Sequence, residues 1–110
     1  MDSQLKRGLI EASVLSLLMR GDSYGYLLIQ DLNRVMEVSE STLYPVLRRL
    51  ESTGALTVRS AEHNGRLRKY YAITEKGKER IRDFLEEWQD VNRVYEFILR
   101  ESSRKEEIES

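Results

Sequence analysis

A chain of 110 residues is expected to form a single domain, which buries roughly two-thirds of the surface of its unfolded state. Its complete lack of cysteine excludes disulfides, thiolate zinc sites and thiol redox chemistry, and favours a cytoplasmic protein. The net charge of −1 excludes any strong overall attraction to nucleic acid, so a partner of that class would need a local basic segment.

The N-terminal segment predicts a helix that is apolar around much of its girth. Glu11 and Arg20 interrupt the apolar residues, which favours a core helix over a targeting signal or a membrane span. Such a helix is normally covered on more than one side, by its own domain and by a second subunit. Its two apolar stripes are Leu5, Leu9, Ala12 and Leu15, and Ile10, Val14, Leu17 and Leu18.

Two more helices follow at short intervals. Gly21 ends the first helix, and Asp22 or Ser23 is predicted to cap a second helix from about Tyr24 to Val35. Its core residues are predicted to be Leu27, Leu28, Ile29 and Leu32.

The third helix is predicted to begin between Ser39 and Ser41 and to end at Gly54, a left-handed cap. If Ser39 is the cap, Pro45 should bend the helix; if Ser41 is the cap, the proline ring costs little. The core face is predicted to contain Leu43, Val46 or Leu47, and Leu50. The outward residues carry hydroxyl, phenol and guanidinium groups, which are used on bases and phosphates: Ser41, Thr42, Tyr44, Arg48 and Arg49.

A β-hairpin is predicted after Gly54, because alternating residues around Leu56–Arg59 and Tyr70–Ile73 flank an Asn64-Gly65 turn. The turn places Arg66, Arg68 and Lys69 on or beside an exposed loop. An Arg-rich hairpin of this kind can follow the DNA backbone or enter a minor groove. Taken alone, it could equally be an ordinary solvated hairpin.

Thr74 is predicted to cap a long last helix, which runs from about Glu75 to Arg100 and is followed by a polar, frayed tail. Apolar residues recur in it at alternating intervals of three and four, as at the a and d positions of a coiled coil. A small domain cannot cover such a length, so this seam favours pairing with a second copy across a two-fold axis. The seam residues are Ile81, Phe84, Trp88, Val91, Tyr95 and Ile98.

The charges are unevenly distributed along the chain. Between Arg48 and Arg80, nine Lys and Arg residues stand against four acidic residues, a balance of +5. From Lys78 to Ser110, seven basic residues stand against ten acidic ones, a balance of −3. The first segment therefore suits phosphate contact, whereas the second suits a solvated helix or a protein partner.

These motifs, in this order, resemble the PadR family of bacterial transcriptional regulators, in its short subgroup with a single C-terminal dimerisation helix. The resemblance covers roughly residues 5–98, and its motifs are Tyr24-Gly25-Tyr26, the run from Ser41 to Glu51, Gly65-Arg66 through Tyr71, and Thr74-Glu75-Lys76-Gly77. It implies a homodimer that binds a pseudo-palindromic promoter site and usually represses. It also implies DNA contacts by Ser41, Thr42, Tyr44 and Arg48 on the recognition helix and by Asn64, Gly65, Arg66 and Lys69 on the wing.

A narrower resemblance concerns the segment around Trp88, which is similar to the last helix of the multidrug-responsive members. There a tryptophan lines a pore between subunits and stacks on flat, often cationic drugs, which implies a small aromatic or cationic ligand at Trp88. An aromatic residue on a seam is also expected as plain core, and both interpretations stay open at this stage.

The sequence therefore predicts a mostly α protein with a small β-hairpin: a winged helix-turn-helix DNA-binding domain at 1–74 and a dimerisation helix with a polar tail at 75–110. We expect a homodimeric transcriptional repressor that uses no cofactor or metal. The alternative is a winged-helix protein-interaction module that does not bind DNA. An enzyme is not expected, because His63, the only histidine, lies at a turn and no phosphate-cradling loop is present.

Overall fold

The computed structural model describes the backbone of residues 1–109 and the side chains of residues 1–104. Its elements are α1 (Ser3–Leu18), α2 (Gly25–Leu32), α3 (Glu40–Ser52), β1 (Leu56–His63), β2 (Arg66–Ile73) and α4 (Glu75–Glu109). The two strands pair antiparallel. This order confirms the predicted winged helix-turn-helix with one long C-terminal helix.

The core lies where α1, α2 and α3 meet the base of the hairpin. The prediction for α3 left Val46 and Leu47 as alternatives, and both are buried, together with Leu43 and Leu50. On α1 the buried residues combine members of both predicted stripes, whereas Leu5 remains exposed. The buried apolar side chains of the three helices are Ile10, Val14, Leu15, Leu18, Leu28, Leu32, Leu43, Val46, Leu47 and Leu50.

Helix α2 ends at Leu32, three residues before the predicted Val35. The Asn33 side chain explains the early end, because its amide nitrogen donates to the carbonyl oxygens of Ile29 (2.7 Å) and Val38 (3.0 Å). Its amide oxygen accepts the backbone N–H of Val38 at 3.1 Å. One side chain thereby closes the turn between α2 and α3, which fixes the approach of the two helices.

The predicted capping of α2 by Asp22 or Ser23 is wrong, since the N-cap residue is Tyr24 and no side chain accepts its first N–H groups. Ser23 instead exchanges backbone hydrogen bonds with Tyr71, at 3.1 and 2.8 Å. Asp22 pairs with Arg59 at 3.3 Å. The segment before α2 is therefore drawn onto the outer edge of β2, where it extends the wing sheet.

Helix α3 begins at Glu40 with Ser39 as its N-cap residue and runs without interruption through Pro45. The Ser39 hydroxyl does not accept a backbone N–H; it lies 3.0 Å from the Ser41 hydroxyl and 3.1 Å from that of Thr42. Since Pro45 has no N–H, the Ser41 carbonyl oxygen lacks its usual donor four residues on. A bend at Pro45 stays a prediction.

The predicted caps around the hairpin are confirmed. Gly54 has a φ of 80°, in the left-handed region. The Thr74 hydroxyl accepts the N–H of Gly77 (3.1 Å) and donates to the carbonyl oxygen of Gly54 (2.6 Å). A side chain on Gly77 would strike the backbone of Ala55, so the first turn of α4 lies directly against the start of β1.

Helix α4 continues to Glu109, which corrects the expected end at Arg100 and the frayed tail. Glu, Lys and Arg, which are frequent after Arg100, have high helix propensity, and this outweighed their polarity. At 35 residues the helix is about 52 Å long. It accounts for the elongated shape of the molecule, whose principal extents are 67 × 26 × 21 Å.

Candidate nucleic-acid interface

The outer face of α3 carries the predicted base-reading residues. Ser41, Tyr44 and Arg48 are exposed, and Thr42 is half-buried. They lie opposite the leucines and valine that anchor the helix in the core, because residues three and four apart share one face of a helix. The buried face thus holds the helix rigidly while its polar face points to solvent.

Tyr44 also explains the Tyr24-Gly25-Tyr26 motif. An ideal Cβ placed on Gly25 would lie only 2.9 Å from the Tyr44 Cζ atom, closer than real Cβ atoms approach their neighbours. The absence of a side chain on Gly25 therefore lets the Tyr44 ring lie over the first turn of α2. This packing fixes the orientation of the phenol on the outer face of α3.

Tyr71, at the base of β2, lies close to the same helix. Burial raises the pKa of its phenol, as do the nearby Tyr44 and Glu51, while Arg48 lowers it. Tyr71 also lines one cleft together with Tyr44 of α3. The base of the wing and the outer face of α3 therefore meet at this cleft.

The tip of the hairpin has the predicted turn, with φ of 51° at Asn64 and 78° at Gly65. Positive φ at two successive residues is the geometry of a type I′ hairpin turn, which matches the strand twist. The register pairs His63 with Arg66 and Ser60 with Lys69. Because neighbouring residues of a strand point to opposite faces, Arg66 and Lys69 lie on different faces of the wing. Both are exposed.

Arg68 lies on the wing, as predicted, but it is half-buried. Its guanidinium carbon lies 4.0 Å from the centre of the Tyr24 ring. The Tyr24 ring meets Tyr70 edge-on at 5.9 Å, and the Arg59 guanidinium covers Tyr70 at 4.8 Å. The four side chains therefore form a ladder across the outer face of the wing sheet, in which an arginine at each end covers a central pair of tyrosines.

Helix α4 leaves the second half of its predicted seam uncovered, at Val91, Tyr95 and Ile98. Ile81 packs against the core of its own chain, and Phe84 and Trp88 are half-buried with ring centres 5.7 Å apart. Val91 is 43% exposed and Tyr95 is 58% exposed. The second half of the helix carries further exposed apolar residues outside the predicted seam: Val94, Phe97 and Leu99.

A nearly buried carboxylate connects three helices. Glu11 of α1 accepts a hydrogen bond from Arg80 of α4 at 2.9 Å, and the Arg49 Nε atom of α3 lies 3.5 Å from its other oxygen. Arg80 also donates to the Thr53 hydroxyl at 3.0 Å. The long helix is thus attached to α1 by an ion pair and to the C-terminal end of α3 by a hydrogen bond.

The chain matches the PadR-like family of transcriptional regulators over residues 14–83, which includes the end of α1, all of α2 and α3, the wing and the start of α4. The chain belongs to this family. Within the described residues, no His, Cys, Asp and Glu side chains cluster as metal ligands. The helices of the same part of the chain are too short or too polar to span a membrane.

Solved structures of family members have the same fold. The chain is 33% identical to a PadR family regulator from Eggerthella lenta, with a TM-score of 0.78 and coverage of 87% of this chain and 86% of the other. It is 32% identical to a PadR-like regulator from Bacillus cereus, with a TM-score of 0.76 and coverage of 88% and 97%. Bacillus subtilis PadR, solved in complex with operator DNA, is 27% identical, with a TM-score of 0.63 and coverage of 70% and 45%.

The structure places the predicted residues of this PadR-like regulator in two groups on the side of α3 and the wing. Tyr44 and Lys69 line one cleft between the start of α2, α3 and the hairpin. Arg66 lies at the hairpin tip. Arg68 and Tyr26 line that cleft as well, although the sequence analysis named Arg68 only as part of the basic hairpin and Tyr26 only as part of a family motif. The Tyr24-Gly25-Tyr26 motif was the sequence signal for this cleft. It could not be interpreted from the sequence, because the need for glycine arises from the packing of Tyr44, which lies about twenty residues further along the chain.

Proposed function

We propose that this PadR-like regulator acts as a homodimeric repressor that binds a pseudo-palindromic promoter site. The observation that carries the proposal is the joint placement of an outward polar face on α3 and exposed cations on the adjoining wing. The operator complex of Bacillus subtilis PadR supports DNA as the partner. In this proposal α3 enters the major groove through Ser41, Thr42, Tyr44 and Arg48. The wing, with Asn64, Gly65, Arg66 and Lys69, contacts the backbone or the minor groove.

The dimer in this proposal forms along α4. The seam runs beyond the core of the single chain, and its second half is exposed there. It consists of Ile81, Phe84, Trp88, Val91, Tyr95 and Ile98. Two recognition helices must lie about 34–36 Å apart to enter successive major grooves. We propose 1–74 as the DNA-binding domain and 75–110 as the dimerisation segment, although Arg80 and Ile81 also pack onto the first.

Replacing the wing cations tests DNA binding directly. We expect Arg66→Ala and Lys69→Ala each to weaken binding to every duplex, including random sequence, because phosphate contacts carry no sequence information. Each lost contact should flatten the slope of log affinity against log salt concentration by about 0.9. Fluorescence anisotropy at several salt concentrations measures both quantities.

Arg100→Ala is the matched control, because it removes one exposed positive charge from α4 instead of the wing. It should leave the salt slope at the wild-type value. Wild-type slopes in both wing variants would contradict the wing assignment, and a wild-type protein that binds no duplex at low salt would favour the interaction-module alternative.

We also propose that a small aromatic or cationic ligand binds at Trp88 and alters the spacing of the recognition helices. Phe84, whose ring centre lies 5.7 Å from that of Trp88, lines a groove of about 210 Å³ between α1 and α4 together with Asp83, Glu87 and Arg80, so Trp88 lies beside this groove and not in its lining. Carboxylates beside aromatic rings suit a flat cation. Because Trp88 is the only tryptophan, planar cationic compounds should quench its fluorescence. Unchanged emission with a panel of cations and phenolic acids would rule out this pocket.

A further inference from the structure

A cleft of about 510 Å³ lies between the start of α2, the outer face of α3 and the wing. Its lining consists of four tyrosines, Gly25 and two cations, Arg68 and Lys69, and contains no carboxylate. In the groove between α1 and α4, by contrast, three carboxylates line the walls with a single cation: Glu11, Asp83 and Glu87 with Arg80. The composition of the cleft therefore suits an anion, with cations for its charge and phenols as hydrogen-bond donors.

The Arg68 guanidinium is held in place before any ligand arrives. It stacks on Tyr24 at 4.0 Å, and Tyr24 is supported from the side by Tyr70. Within the described residues, Arg68 and Lys69 take part in no ion pair, whereas Arg59 at the other end of the ladder is paired with Asp22. Stacking leaves the edge of the guanidinium free to donate hydrogen bonds, and its fixed position reduces the entropy lost on binding.

The position of the cleft indicates which anion it receives. Tyr44 belongs both to the outer face of α3 and to the wall of the cleft. A duplex with its bases against that face must pass its sugar-phosphate backbone beside Tyr44, toward Tyr26 and Lys69. The first turn of α2, which no side chain caps, adds partial positive charge at the same place.

We propose that this cleft binds one phosphate of the DNA backbone next to the bases read by α3. Arg68 and Lys69 point to opposite faces of β2, but both line the cleft because it lies at the edge of that strand, beside the start of α2. From the two faces they neutralise the phosphate, and the hydroxyl of the exposed Tyr26 donates a hydrogen bond to it. This inference rests on the proposed function and adds Arg68, Tyr24 and Tyr26 to the DNA-contacting surface. Arg68 and Tyr26 touch the phosphate, whereas Tyr24 acts by positioning the Arg68 guanidinium.

The test uses a duplex that the wild-type protein selects from a random library, synthesised with a neutral methylphosphonate at one phosphate at a time. We expect wild-type binding to weaken when the phosphate in the cleft is replaced. Arg68→Ala should bind the unmodified duplex about tenfold more weakly and should lose its sensitivity at that one position. Arg68→Lys should recover part of the affinity. Arg100→Ala, with the same loss of charge, should keep both the affinity and the wild-type pattern.

Variants of Tyr24 test the positioning role. Tyr24→Phe keeps the ring and should bind as the wild type does. Tyr24→Leu removes the stacking partner and should weaken binding about two- to fivefold, but only when Arg68 is present. An equal loss in the Arg68→Ala background would contradict the role of Tyr24. Circular dichroism and thermal unfolding of each variant separate these effects from misfolding.

The outcomes distinguish this inference from the proposed function. If the wild-type protein selects no duplex, the proposed function itself fails. If it selects one, and Arg68→Ala binds that duplex with wild-type affinity or retains the full methylphosphonate pattern, the cleft assignment alone is overturned. The wild-type protein is also titrated with inorganic phosphate in the absence of DNA. Saturable binding with a Kd below about 1 mM, which corresponds to about −4 kcal/mol, that is lost in Arg68→Ala would reassign the cleft to a soluble anion. That result would also overturn the cleft assignment.

Discussion

Replacing Tyr95 and Ile98 by aspartate is expected to yield a monomer that binds a selected duplex at least about 100-fold more weakly than the wild type. Both residues are exposed in the single chain, so the protomer should still fold. The loss arises because a dimer binds its second half-site as an intramolecular event, and this avidity is typically worth a factor of about 10²–10⁴. In a dimer the new aspartates would be buried as unpaired charges, which is unfavourable in free energy. In separate monomers they stay in water, so the monomer is favoured.

The matched control places the same two new charges on the polar face of α4. Gln89 and Ser103, the two residues replaced by aspartate, share a helix face with the polar residues Arg82 and Glu96, because these four positions follow one another at intervals of seven; both are exposed. This variant should remain a dimer with nearly wild-type affinity. Sedimentation and light scattering report the mass. A dimeric seam variant, or equal losses in both variants, would contradict pairing along this seam.

The second large effect is expected at the charge cluster around Glu11. Arg80→Ala leaves this carboxylate, whose side chain is only 11% exposed, with the more distant Arg49 alone. Breaking a buried pair by removing one partner typically costs about 3–5 kcal/mol. Because the Arg80 side chain is itself 35% exposed, we discount this for solvent screening and expect a loss of about 2–3 kcal/mol. Urea unfolding measures the change.

Arg20→Ala is the control, since it makes the same substitution in a pair with Asp31, at 3.0 Å, in which the arginine side chain is 66% exposed and the carboxylate is 14% exposed. It should cost less than about 1 kcal/mol. A double variant with Leu at both Glu11 and Arg80 should be more stable than Arg80→Ala, because no unpaired charge remains buried. If Arg80→Ala and Arg20→Ala have similar stabilities, the cluster does not fasten α4 to the domain.

The parts of the structure that were predictable are those set by local chemistry. Asn64-Gly65 requires positive φ, Gly54 ends a helix, and the Thr74 hydroxyl caps the next one, whatever the rest of the chain does. The apolar spacing of α3 likewise determines which side faces the core. These signals were sufficient to predict the winged helix and to select the outward residues of its third helix.

The parts that could not be predicted depend on residues far apart in sequence. Nothing near Ser23 indicates that its backbone will pair with Tyr71, and this pairing is what brings Tyr24 beneath Arg68. The need for Gly25 becomes visible only once Tyr44 lies over it. The periodicity of apolar residues describes each element alone, so it could not predict the cleft that forms between α2, α3 and the wing.

The central claim, that two copies bind DNA as a symmetric pair of winged helices, is tested most directly by selection from a random duplex library. The account predicts an enriched inverted repeat whose half-sites lie about 10 base pairs apart, or a multiple of one helical turn, with two protomers bound per duplex. Enrichment of no sequence, or of a single half-site bound by one protomer, would contradict it.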